Sequence, residues 1–307
     1  MAAVGNTFFF EWEVMLMAWL QTNAGAFGIR AASFFTQFGE AITIILIVGL
    51  FYWGFDKNFG KRLMISLLAV SLWGPMLKNI ALRRRPYLDH ETVNCLRPVE
   101  NGDINDPSVQ GFSFPSLHAS NTAALYTSIG QYLEGGVLKV ICLLLPLLVG
   151  LSRVFLGVHY PTDVLFGWAF GYLVLLLIEL LYKKLPDPFW ILVILLATGI
   201  PGFFYCKSAD FYTAYGLTAG TALAFLFEQK HVNFPPAENY LLSLVRVIGG
   251  GVIFIALSTV LKLPFPKELL DSVSTAAFLI RSARYAVCAF VIFGVYPLCF
   301  GKGKLKL

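Results

Sequence analysis

Three groups of residues in this 307-residue chain have the types and spacing for phosphate chemistry. The first is Lys78, then six residues, then Arg85-Pro86. The second is Pro115-Ser116-Leu117-His118. The third is Ser152-Arg153, five residues, His159, three residues, Asp163. Lys78, Arg85 and Arg153 supply three cations. Arginine presents a planar fork that matches phosphate oxygens in pairs, and lysine acts as a mobile point charge. A doubly charged anion suits such a cluster better than a carboxylate does. Pro115 and Pro161 each suggest a helix start, where a missing N–H costs nothing. The N–H groups near Ser116 would then face an anion. Asp163, in the first turn of its helix, lies close to the His159 ring. A carboxylate on one ring nitrogen fixes the tautomer and leaves the other nitrogen able to attack. His118, from another helix start, is placed to give a proton to a leaving alcohol.

Each element also has an ordinary reading. Lys78 can snorkel at a helix end, and Arg83-Arg84-Arg85 can be a topology signal. Ser116 can be a cap, and Asp163 can answer a helix dipole. What favours chemistry is that the groups fall together once the helices around them are placed.

Those helices are membrane spans. Hydrophobic residues make up 57% of the chain and charged ones 13%, about half the share of charge in a soluble domain. Apolar blocks near the ~20 residues a bilayer requires occur at 33–54, 61–82, 116–133, 137–157, 161–183, 188–205, 210–228, 241–261 and 282–300. The expected fold is all-α, a polytopic bundle of about nine transmembrane helices. Residues 8–21 carry Glu11 and Glu13 and follow no basic segment. They read as an interfacial helix, not a cleaved signal. The expected organisation is an N-terminal segment 1–32, a core 33–187 containing a long polar loop 83–115, and further helices 188–307. That loop holds Asp89, His90, Glu91, Asp103 and Asp106. With nine spans, the end of the second, the start of the third, the end of the fourth and the start of the fifth share one membrane face.

The net charge of +5 is modest and forms no long basic stripe, which argues against nucleic acid as a partner. The five cysteines include no CxxC pair and predict neither a metal site nor disulfides. Lys57, Lys61, Arg62, Lys183, Lys184, Lys302, Lys304 and Lys306 fall opposite the site's face, and Lys262, Lys267, Arg281 and Arg284 fall on it. The balance leans weakly toward an outward-facing site.

The three motifs resemble those of the type 2 phosphatidic acid phosphatase (PAP2) superfamily. That pattern is Lys, six residues, Arg-Pro; Pro-Ser-Gly-His; and Ser-Arg, five residues, His, three residues, Asp. The resemblance covers 78–163, and Leu117 stands where the family usually has glycine. It implies that His159 is a nucleophile forming a phosphohistidine, that Asp163 orients it, and that His118 is the general acid. It implies that Lys78, Arg85, Ser116, Arg153 and the Leu117 backbone N–H hold the phosphoryl oxygens. It implies no metal and no cofactor. It points to a multi-pass protein of the plasma membrane with an extracytoplasmic site, acting on lipid phosphate monoesters or polyprenyl and lipid diphosphates in the bilayer. A lipid head-group phosphotransferase, a sugar-phosphate phosphatase and a non-catalytic transporter remain as alternatives on the same scaffold. Oligomeric state is not legible.

Overall fold

A computed structural model describes residues 5–97 and 111–301, all helical. Asp103, Asp106 and the lysines at 302, 304 and 306 lie outside these residues. The chain forms two compact units, residues 1–44 with 74–176 and residues 45–73 with 177–307.

The first unit contains α1 (Glu11–Asn23), α2 (Gly25–Thr36), the start of α3 (Ala41–Gly49), the end of α4 (Lys57–Ala81), α5 (Leu117–Tyr132), α6 (Val137–Phe155) and most of α7 (Pro161–Lys184). Its core gathers Met17 of α1, Ala119 of α5, Val154 of α6, Tyr160 and Val164, all nearly inaccessible. Helices α5 and α7 approach closely because Gly167 and Gly171, one turn apart, face Ala119 and Ala123. A β-carbon on Gly167 would meet the Ser116 carbonyl at 2.6 Å, and one on Gly171 the Ser120 carbonyl at 2.4 Å. Small residues at this spacing let two backbones pack where lipid supplies no hydrophobic drive.

The second unit contains the rest of α4, then α8 (Pro188–Gly199), α9 (Ala209–Phe227), α10 (Tyr240–Val260) and α11 (Thr275–Phe290). Gly216 and Gly220 bring α9 against the Ser282 and Ala286 carbonyls of α11. Glu228, buried after α9, accepts from Lys57 at 2.8 Å and Lys61 at 2.9 Å.

Among the described residues, six helices are long and apolar enough to cross a membrane. A bent pair, Gly25–Gly39 with Ala41–Phe55, gives a seventh if it is counted as one span. The sequence led us to expect nine. The two helices outside this set are α5 and α9. Helix α5 has 16 residues and carries His118, Asn121, Thr122 and Thr127. Helix α9 carries Asp210, four glycine or threonine residues over Gly216–Thr221, and two tyrosines before them. Both are largely buried within their own units. A helix surrounded by protein needs small and hydrogen-bonding residues more than apolar bulk.

Helix α1 differs from a simple interfacial helix. One face carries exposed Trp12, Met15 and Trp19. The other buries Met17 and Glu13 completely. Burying an uncompensated carboxylate is expensive, so Glu13 requires partners inside the unit.

Candidate active site

Four helix ends of the first unit carry the three motifs. Lys78 lies in the last turn of α4, and its ammonium donates to the Phe112 carbonyl and reaches the Ser113 carbonyl at 3.5 Å. After α4, Leu82 takes a left-handed turn (φ 52°). The chain then runs beside two other segments. Asn6 N–H donates to Leu82 O, Arg84 N–H to Asn6 O, and Ser113 N–H to Arg83 O. This lacing delivers Arg85 to the interior. Its Nη1 donates to Val158 O at 2.8 Å and lies 3.4 Å from His159 Nε2, and its Nε donates to Gly111 O at 3.1 Å.

His159 stands between α6 and α7. Helix α6 ends at Phe155, and Gly157 turns the chain with φ +76°. Any side chain there would meet the Asn94 carbonyl, 2.1 Å from an ideal β-carbon, so both the dihedral and the space require glycine. Pro161 then opens α7. The Asp163 carboxylate reaches back to the Tyr160 N–H at 2.8 Å, the reciprocal half of a capping box. The same oxygen, Oδ2, lies 3.5 Å from His159 Nδ1 and accepts the Ser113 hydroxyl. With Nδ1 facing a carboxylate, the proton belongs on that nitrogen and the lone pair on Nε2, toward Arg85. Burial first, then the charges of Arg85, Lys78 and Arg153, hold the His159 imidazole well below its ordinary range. This shift favours the neutral ring, the form that attack by an imidazole requires.

Arg153, in the last turn of α6, is 1% exposed. Its Nη1 donates to Thr36 Oγ1 at 2.8 Å, and its Nε has no hydrogen-bond partner among the described residues. An orphaned buried donor is uncommon and fits an oxyanion. Ser152, by contrast, donates to Val149 O at 2.6 Å within its own helix.

The second motif departs from expectation in detail. Pro115 follows a cis bond and precedes the N-cap, so it is not in the first turn. Ser116 is the N-cap of α5, and its Oγ accepts from Ala119 N–H at 3.5 Å. Its own N–H donates to Asp163 O at 3.0 Å, so that group ties α5 to α7. Leu117 and His118 are the first two helical residues, where N–H groups lack intrahelical acceptors. His118 points its Nε2 at Glu40 Oε1, 3.3 Å away, and the same oxygen accepts from Arg97 Nη2 at 2.7 Å.

Leu117 is helical and needs no glycine dihedral. Its side chain occupies the space left by Gly74 on α4, where a β-carbon would fall 2.2 Å from Leu117 Cδ2. The bulk missing from Gly74 is thus matched by the bulk of Leu117. We expect Gly74→Ala to cost about 1–3 kcal/mol by overpacking, and Leu117→Gly to relieve it. A double-mutant cycle on thermal stability checks this. Additive losses would remove the coupling.

Several site neighbours were not among the sequence candidates. Glu13, Arg83, Ser113, Glu40, Arg97 and Thr36 all bond a candidate residue or its partner. An acid inside an apolar run is itself a signal, and it could have found Glu13 and Glu40. Ser113 has no sequence signal. Among the described residues, no group of three His, Cys, Asp or Glu is placed to hold a metal ion.

Comparison with known proteins adds a separate finding. The family profile described as PAP2 superfamily matches residues 59–187. The profile described as PAP2 superfamily phosphatase, transmembrane extension, matches 212–306. The chain is 29% identical over 147 residues to a phosphatidylglycerophosphatase B of Bacillus subtilis, covering 45% of this chain and 66% of that protein. It is 35% identical over 96 residues to a decaprenylphosphoryl-5-phosphoribose phosphatase of Mycobacterium tuberculosis, covering 31% and 46%. It is 28% identical over 144 residues to an undecaprenyl-diphosphatase of Sulfolobus acidocaldarius, covering 45% and 63%. The chain thus spans less than two thirds of the length of each of these relatives.

Proposed function

The chain belongs to the PAP2 superfamily, and from that premise we propose that it is a metal-independent membrane phosphatase hydrolysing lipid phosphate monoesters or lipid diphosphates through a phosphohistidine. The observation that carries this reading is the buried His159, with Nδ1 3.5 Å from Asp163 and Nε2 3.4 Å from Arg85.

In the first step His159 Nε2 attacks phosphorus and the bond from phosphorus to the leaving oxygen breaks. His118 gives its proton to that oxygen. Asp163 stabilises the charge that develops on the imidazole. Lys78, Arg85, Arg153 and the Leu117 N–H hold the equatorial oxygens, with the Ser116 cap fixing the start of α5. In the second step water attacks phosphorus, its proton passes to His118, and the P–N bond breaks. Phosphate leaves and the enzyme is restored. Charge stabilisation aimed at a phosphoryl group is the largest part of such catalysis.

The lipid assignment draws support from the surroundings. Phe8 pairs with Phe114, and Phe114 with Phe166. Phe8 and Phe166 are about half exposed, 47% and 58%. An acyl or prenyl tail suits this rim while the head enters the cationic pocket. The three relatives bear names of phosphatidyl- and polyprenyl-phosphate enzymes. We read α5 and α9 as crossing the bilayer with the other helices, nine spans in all. We read 33–187 as the catalytic core, 188–307 as additional helices and α1 as lying at the interface. We read the site as extracytoplasmic, in the plasma membrane; the lysines at the opposite helix ends, Lys57, Lys183 and Lys184, support the outward orientation.

The test is phosphate release from a panel of phosphatidic acid, phosphatidylglycerol phosphate, polyprenyl diphosphate and glucose 6-phosphate, in detergent with EDTA. We expect release from one or more lipids without added metal. Activity that vanishes in EDTA and returns only with a divalent ion would refute the mechanism. Release that requires an added alcohol acceptor would identify a transferase. Preference for the sugar phosphate would remove the lipid assignment.

A further inference from the structure

Glu13 belongs to α1, the helix remote in sequence from every motif, yet it is 0% exposed. Its two oxygens are fully engaged. Oε1 accepts from the Thr162 N–H at 3.0 Å and the Thr162 hydroxyl at 2.6 Å. Oε2 accepts from Arg83 Nη2 at 2.8 Å and from the Phe10 N–H at 3.0 Å.

Arg83 is equally enclosed, at 1% exposure. Its Nη1 donates to Asp163 Oδ1 and to Thr162 Oγ1, both at 2.7 Å. Its Nε donates to Phe8 O at 2.9 Å, and its plane stacks on Tyr160 at 3.9 Å. The guanidinium therefore divides its two outer nitrogens between two carboxylates. Asp163 is divided in turn. Oδ1 faces Arg83, while Oδ2 faces His159 Nδ1, Ser113 and the Tyr160 N–H. A carboxylate held at both oxygens cannot rotate away from the imidazole.

The charges explain why two residues are needed. Arg83 alone would fix Asp163 but would draw off the negative field that supports a cation on His159. Glu13 offsets Arg83. The three groups then carry one net negative charge, the same as Asp163 by itself.

We infer that Glu13 and Arg83 are positioning residues for the Asp163–His159 pair, and that the N-terminal helix is thereby a working part of the active site. This rests on His159 being the nucleophile. The other charged or titratable groups whose fields reach His159 are Arg85 and Lys78 after and within α4, Arg153 of α6 and His118 of α5, and the test leaves all four unchanged.

Glu13→Gln keeps the shape and removes the charge. We expect kcat to fall about tenfold with KM unchanged, the lower end of losses for groups that orient a ligand from behind. The acid limb of kcat should move to lower pH, because Arg83 is no longer offset. Arg83→Gln should move the limb the other way. Because Arg83→Gln leaves two buried carboxylates facing each other, Glu13→Gln/Arg83→Gln is measured beside it. Its net charge equals that of the native trio, so its limb should return toward the native position. A purely structural pair would lower the amount of folded protein without these opposed shifts. A folded Glu13→Gln variant with native kcat and native pH profile overturns the inference, as does a loss of kcat with no shift. His159→Ala serves as the control. If it turns over, the nucleophile reading fails and this inference with it. If it is inactive while Glu13→Gln behaves as native, this inference alone fails.

Discussion

His159→Ala is expected to abolish turnover, with a loss of at least ~100-fold. On the proposed reading the imidazole is the group that accepts the phosphoryl, and alanine has no atom to take it. Asp163→Asn should give a similar loss, because an amide at Oδ2 cannot support the imidazolium that forms. Alkaline quench of the native enzyme during turnover should trap an acid-labile, base-stable phosphoenzyme, and the His159→Ala variant should give none. The pH dependence carries a sign. Burial and the surrounding cations hold His159 below its ordinary value of about 6.5. The neutral, attacking form therefore persists below that pH, and activity is lost only as pH falls through the lowered value. A basic limb that disappears in a His118 variant would belong to His118, which must hold a proton to release the leaving alcohol. Full activity in His159→Ala would end the phosphohistidine assignment.

Arg153→Ala is the second large effect, again at least ~100-fold, and it should fall on kcat. The guanidinium is buried, and its Nε has no partner among the described residues. On the proposed reading this donor is held ready for charge that grows in the transition state. Its hold on Thr36 Oγ1 comes from Nη1, so the side chain is fixed before substrate arrives. Arg153→Lys should recover little, since an ammonium cannot reproduce the planar fork. A native kcat with only a raised KM would mean that Arg153 binds substrate and transition state alike.

Much of the site was legible in the chain because its chemistry is local. His159 and Asp163 are four residues apart across Pro161, and the capped turn that opens α7 brings them together. Lys78, Arg85 and Arg153 declared themselves as cations at the ends of apolar runs. The helical class followed from composition, since a backbone in hydrocarbon must satisfy its own hydrogen bonds. The span count was less secure. Hydropathy measures contact with lipid, and α5 and α9 are largely enclosed by protein.

What the sequence by itself determined was the set of charges, the histidine pair and the helices that carry them. Only tertiary structure decided which backbone and side-chain groups hold them in place. Leu117 reads as a lapse from a glycine pattern until Gly74 is found beneath it, 43 residues earlier in number and in contact in space. Glu13 reads as a break in an apolar run until Arg83 and Thr162 enclose it. Ser116 reads only as a phosphate ligand until its N–H is found bonded to the Asp163 carbonyl, tying α5 to α7. The reason is the same in each case. A buried polar or charged group must be satisfied by whatever the fold brings to it, and in this protein those partners come from elements far apart in the chain.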